Sequence, residues 1–183
     1  LYSEETTIEF EAIGNLQARF ALKDELKYFE FDGTSGEYNI TGVKEEYRSE
    51  TEIVVPSYIT GIKKGAFAGC SNLKTLTIPF IGLGKMSGST VPTPYPLGII
   101  FGESQYDGSV AVEQIYDNSG YIDVVEETST TYYLPASLSE VTVTRGKIPL
   151  GAFSGCANIE NVTLGETVST LANKAFYECK GLK

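Results

Sequence analysis

Apolar positions along this chain keep a repeating beat. Ile53, Val55, Ile59, Ile62, Ala66, Phe67, Cys70 and Leu73 return as Val162, Leu164, Val168, Leu171, Ala175, Phe176, Cys179 and Leu182 at a constant offset of 109. Apolar residues two apart at 53–55, 76–78, 141–143 and 162–164 predict four short strands, each turning one face inward. Pro56, Pro79 and Gly165 stand just past three of these strands and mark a turn. Beyond the turn comes an Ala-Phe segment, expected to form one helical turn or a compact loop whose Phe plugs the coil. The phrase Gly65-Ala66-Phe67-Ala68-Gly69-Cys70 recurs as Gly151-Ala152-Phe153-Ser154-Gly155-Cys156, and again as Lys174-Ala175-Phe176-Tyr177-Glu178-Cys179.

Self-similarity of this kind marks a solenoid, in which a single coil cannot bury its apolar edge and neighbouring coils share stability. Steps between strands are 23, 65 and 21 residues, so the middle one carries an excursion. Leu97-Gly98-Ile99-Ile100-Phe101 within it reads as a divergent stand-in for the absent Ala-Phe phrase. The repeats are placed at 51–183, with the excursion at 80–133. Residues 1–50 lack the phrase and are read as a β-rich N-terminal cap. There Thr7-Ile8-Glu9-Phe10 alternates like a strand, and Leu16, Phe20 and Leu22 fit either a short helix or another strand. Residues 26–31 and 37–43 flank Asp32-Gly33-Thr34-Ser35-Gly36, a hairpin signal.

The pattern Ala-Phe-x-x-Cys-x-x-Leu-x-x-Leu-x-Ile, with Pro after the strand, resembles the BspA-type leucine-rich repeats of bacterial surface proteins over about residues 38–183. The resemblance implies a leucine-rich-repeat solenoid: short parallel strands, turn or short-helix segments, and about four coils behind the N-terminal cap. It also implies an extracellular or cell-surface protein that binds proteins or glycans at a host, matrix or cell surface, as in adhesion. No cofactor is expected.

Composition narrows the chemistry. The chain has no histidine, which removes Ser-His-Asp and Cys-His catalysis and the common zinc sites. A net charge of −10 argues against nucleic acid, whose phosphates require clustered Lys and Arg. No stretch approaches the ~18 apolar residues of a membrane span, and membrane insertion is not expected. A chain starting at Leu1 and stopping in mid-repeat reads as a processed or excised piece, with export signal and anchor expected outside it. Each cysteine holds the same place in its repeat, so Cys70, Cys156 and Cys179 are expected as buried free thiols.

Two surfaces remain for binding. Outward strand positions form a row of Val54, Thr77, Thr142 and Thr163, which either binds a partner or only stabilises the sheet through cross-strand pairs. The excursion holds six of the twelve tyrosines and seven acids. Long loops on rigid scaffolds concentrate binding residues, and tyrosine supplies amphipathic area at low entropic cost. Tyr106, Asp107, Tyr116, Asp117 and Tyr121 are therefore candidates beside Thr77, Thr142 and Thr163. The opposing reading is that the tyrosines roof their own coil. Removing residues 103–128 is expected to weaken binding and leave folding intact. No catalytic, cofactor or metal residue is assigned, and calcium lacks a loop of alternating acids. The leading expectation is a non-enzymatic binding or adhesion protein. A structural spacer presenting another domain is the alternative, and a carbohydrate-active enzyme using paired carboxylates is more remote.

Overall fold

The computed structural model describes residues 26–32, 38–84, 95–119 and 125–183. The expectations for Thr7–Phe10, Leu16, Phe20 and Leu22, and for the turn of the N-terminal hairpin, lie outside these residues. The chain winds as a β-solenoid of about five turns with little helix. Its strands are β1 (Phe29–Asp32), β2 (Asn39–Val43), β3 (Glu52–Val54), β4 (Gly61–Ile62), β5 (Thr75–Ile78), β6 (Ser109–Asp117), β7 (Glu127–Pro135), β8 (Glu140–Ile148) and β9 (Asn161–Leu171).

The four strands predicted from alternation form one parallel sheet in the order β3-β5-β8-β9. Ile53, Leu76 and Val141 stand in register, and all three are buried because period 2 turns them into the coil. β8 and β9 run on to nine and eleven residues, well past the predicted 141–143 and 162–164. A second sheet takes the order β1-β2-β4, with β1 antiparallel to β2 and β2 parallel to β4. The 26–43 segment is thus joined to the first full coil through backbone hydrogen bonds. Among the described residues, helix is limited to two 3-10 segments of three and four residues, Glu45–Tyr47 and Leu97–Ile100, and a single residue at Leu26. The Ala-Phe segments are turns, not helices.

Phenylalanines make the spine of a single apolar core. Phe29 meets Phe67 at 6.1 Å between ring centroids, Phe67 meets Phe101 at 5.9 Å, and Phe153 stacks on Phe176 at 5.2 Å. Phe101 therefore fills the place the Ala-Phe phrase would occupy. Backbone bonds say the same: Phe67 N–H donates to Ile100 O at 2.8 Å, as Phe153 N–H donates to Ala175 O at 2.8 Å one step on. The excursion thus contributes a divergent step of the stack through Leu97–Phe101, and the inserted part is the β6–β7 hairpin.

Candidate functional site

β6 and β7 pair antiparallel over nine residues each, from Ser109 opposite Pro135 to Asp117 opposite Glu127. One face of this hairpin lies on the stack. Val112, Gln114, Tyr132 and Leu134 are buried there, while Ala111, Glu113, Ser129 and Thr131 on the opposite face are exposed. Gln114, fully buried, is the fastening. Its Oε1 accepts from Gly98 N–H at 2.6 Å, and its Nε2 donates to Ser154 O at 3.1 Å and lies 3.3 Å from Cys156 Sγ. Ile115 N–H donates to Ser154 Oγ at 2.9 Å, and that hydroxyl donates to Gly151 O at 2.9 Å.

Close approach is possible because glycines underlie the hairpin. A Cβ at Gly155 would stand 2.6 Å from Glu113 O, and one at Gly98 would stand 2.6 Å from Tyr132 Cβ. Gly155 also has φ +70°, a conformation glycine adopts without steric cost. At the far end, Lys174 Nζ pairs with Glu127 at 2.7 Å, tying the hairpin to the last Ala-Phe turn. The loop expected to be dispensable for folding is therefore strapped to the core. Removing 103–128 would take away β6 and leave Gly98 and Ser154 without Gln114 and Ile115.

The candidate residues divide between separate places. Tyr106 is half-buried with its hydroxyl buried, and burial, then the neighbouring Cys70 thiol, push its phenol up. Asp107 is exposed. Tyr116 packs its ring 5.5 Å from Tyr95 and sets its hydroxyl 3.5 Å from Thr130 Oγ1. Asp117 accepts backbone N–H bonds from Ser119 at 2.9 Å and Glu126 at 3.0 Å, which hold its carboxyl below the ordinary range. Tyr121 lies outside the described residues. Tyr106 and Asp107 precede β6 and Tyr116 and Asp117 end it, so a nine-residue strand rising ~3.3 Å per residue separates the pairs.

On the parallel sheet, Val54, Thr77, Thr142 and Thr163 stand side by side in register, with Glu52, Thr75, Glu140 and Asn161 as a second row. The hairpin instead covers the Ala-Phe turns, so the two candidate sets occupy different faces.

Burial explains the thiols. All three cysteines are free, and burial holds Cys70 up at about 12 and Cys179 at about 11, while Cys156 is raised further. Such thiols are poor nucleophiles at neutral pH. Among the described residues, no group of three or more His, Cys, Asp or Glu is placed to hold a metal ion. No helix among them is long and apolar enough to cross a membrane.

A cleft of about 730 Å³, unmarked by any motif, opens beside β8 with Phe80, Ile81, Arg145, Lys147, Ile148 and Leu150 among its lining residues. The signal for it was slight: Arg145 and Lys147 flank Gly146 inside a repeat strand.

Residues 45–87 and 128–183 match the BspA type leucine rich repeat region in six copies. The unmatched interval holds the Leu97–Phe101 step, all of β6 and the first residue of β7. No match was found among curated proteins. Among solved structures, the crystal structure of a T. pallidum leucine rich repeat protein matches at 20% identity over 86% of this chain and 89% of that one, with a TM-score of 0.25. With more than half its length matched and the repeated Phe and strand registers seen directly in the stack, the chain belongs to the BspA type leucine rich repeat family.

Proposed function

We propose that this chain is a non-enzymatic, secreted or cell-surface binding protein. Its partner is a protein or glycan at a host, matrix or cell surface, and its role is adhesion. The supporting observation is the division of labour in the solenoid. Repeated Phe and Cys residues are spent on the core, whereas the hairpin presents Ala111, Glu113, Ser129 and Thr131 outward from a fixed frame. A surface held in place before contact loses little conformational freedom on binding. The Thr77–Thr142–Thr163 row is the second surface on offer, though it carries no aromatic anchor of the kind that dominates binding energy.

Substitution tests this more cleanly than deletion, since β6 supports the fold. Glu113→Lys with Thr131→Arg would alter the hairpin face, and Thr77→Arg with Thr142→Arg would alter the sheet face. Each pair is screened on arrays of matrix proteins and glycans. The hairpin pair is expected to weaken wild-type binding about tenfold or more while leaving the unfolding midpoint in place, because exposed changes rarely exceed ~0.5 kcal/mol. Wild-type binding by both pairs would refute the assignment of either face.

A further inference from the structure

The parallel sheet contains a breach. β8 pairs with β5 only through Glu140–Val143, and Arg145 N–H then reaches Pro79 O at 3.1 Å. Beyond that point Gly146, Lys147 and Ile148 pair with β9 on one side, with a bulge between Gly146 (φ +91°) and Lys147, and among the described residues no strand pairs with them on the other. On the opposite bank Gly84 bridges Gly61 in the antiparallel sense, so the chain there has turned away from the parallel stack. The 730 Å³ cleft lies between these banks, and its volume falls in the ~300–1,000 Å³ range of ligand sites.

Its walls combine two chemistries. Phe80, Ile81, Ile148, Pro149 and Leu150 make an apolar lining. Arg145 and Lys147 bring positive charge to it in a chain whose net charge is −10. The Arg145 guanidinium lies over the Phe80 ring at 5.5 Å and donates one Nη bond to Ile59 O at 2.9 Å. Its Nε is buried with no hydrogen-bond partner among the described residues. Lys147 is exposed and forms no ion pair among those residues. Asp117 also lines the cleft, and the two backbone N–H groups bonded to one of its oxygens favour its anion, so the two cations outweigh a single negative charge there.

We propose that this cleft takes an extended segment of a partner polypeptide bearing a carboxylate beside a bulky apolar side chain, added as a short strand along Gly146–Ile148. A strand edge with one strand neighbour among the described residues offers main-chain donors and acceptors to an incoming strand. The guest's apolar side chain would meet the Phe80–Leu150 wall, and its carboxylate would meet Lys147 and the Arg145 guanidinium beside that wall. A guanidinium fixed on an aromatic ring is set for a carboxylate before the guest arrives. Elsewhere the acidic surface repels an acidic guest, so charge selects this place. The site is separate from the hairpin face and does not depend on it.

The test uses the whole chain and a blocked, fluorescein-labelled pentapeptide, Thr-Leu-Glu-Val-Thr, read by anisotropy at low salt. Expected results are saturable binding, about tenfold or more weakening when the central Glu is Lys, and loss when it is Pro, which lacks the N–H. The amide signals of Gly146, Lys147 and Ile148 should shift on titration. Because Arg145 also supports Ile59 O, its removal risks unfolding, so Lys147→Glu is the informative variant and should weaken binding about tenfold or more. Absence of binding up to about 1 mM peptide, a weakness near 4 kcal/mol of binding free energy, overturns the proposal. So does equal binding of the Glu and Lys peptides, or an unaffected K147E. Dodecanoate binding in place of the peptide would make the cleft a site for small amphiphiles and would equally overturn it.

Discussion

The Phe153 step of the stack and the β6–β7 hairpin bury their side chains under different rules. At the step, Phe153 lies flat on Phe176 with planes 4° apart, and Cys179 donates to Phe153 O at 2.9 Å. Apolar contact does most of the work there, and the same residue types suffice in every coil. At the hairpin, a fully buried Gln114 and a buried Ser154 hold two pieces of chain together through specific bonds, over glycines that make room. Packing of the first kind is repeatable and leaves a periodic trace. Fastening of the second kind depends on particular residues far apart in the chain and leaves none.

That contrast predicts unequal responses to substitution. Phe153→Ala should cause the largest loss, on the order of 3–5 kcal/mol in urea unfolding, since a buried ring is replaced by a cavity. A loss under about 1 kcal/mol would mean that the stack does not rely on its aromatic spine. Gln114→Leu should cost less, about 1–3 kcal/mol, because it strands Gly98 N–H and Ser154 O without partners while keeping the side-chain volume. Its effect should concentrate in the hairpin, which would become sensitive to limited proteolysis near Asp117 before the repeats do. Uniform cleavage throughout the chain would erase the distinction between strap and stack.

The thiols give a smaller, pH-dependent signal. Burial raises Cys70 from an ordinary value of 9.0 to about 12 in the fold. Its neutral form is the one the fold favours, so the stabilisation is complete below pH 9 and is lost as pH rises towards about 12. Alkaline titration of a Cys70→Ala variant against the parent chain should therefore show a shallower fall in stability over that window. Labelling at neutral pH should reach half-buried Cys179 first, with Cys70 and Cys156 reacting only as the chain opens. Fast labelling of Cys156 in the native chain would contradict the packing around Gln114.

How much of this was legible in the sequence follows from the same contrast. Ile53, Leu76, Val141 and their Phe partners announce themselves, because one buried apolar type recurs at fixed spacing. The stand-in at Leu97–Phe101 was readable from its apolar run and final Phe. The hairpin was not: its buried face includes Gln114, which alternation places on one face with Val112 but whose polarity marks it as outward, and Tyr132, which composition counts as a display residue. What makes Gln114 buriable is Gly98, Ser154 and Cys156, sixteen and forty or more positions away. The tyrosine-rich stretch therefore read either as a binding loop or as a roof over its own coil, and Tyr132 in the core and Tyr106 with its hydroxyl buried follow the second reading. Likewise the cleft at Arg145 depends on where β5 stops pairing with β8, a long-range event with no local signature.

Amide hydrogen exchange addresses the central claim, that the β6–β7 hairpin is a fixed part of the scaffold with one outward face. Ile115 N–H, bonded to Ser154 Oγ, and Tyr133 N–H, bonded to Gly102 O, should be protected to the same free energy as Phe67 N–H and Phe153 N–H within the stack. Hairpin amides exchanging at the rate of open loops, while the Phe amides stay protected, would show instead a mobile arm on an independent solenoid.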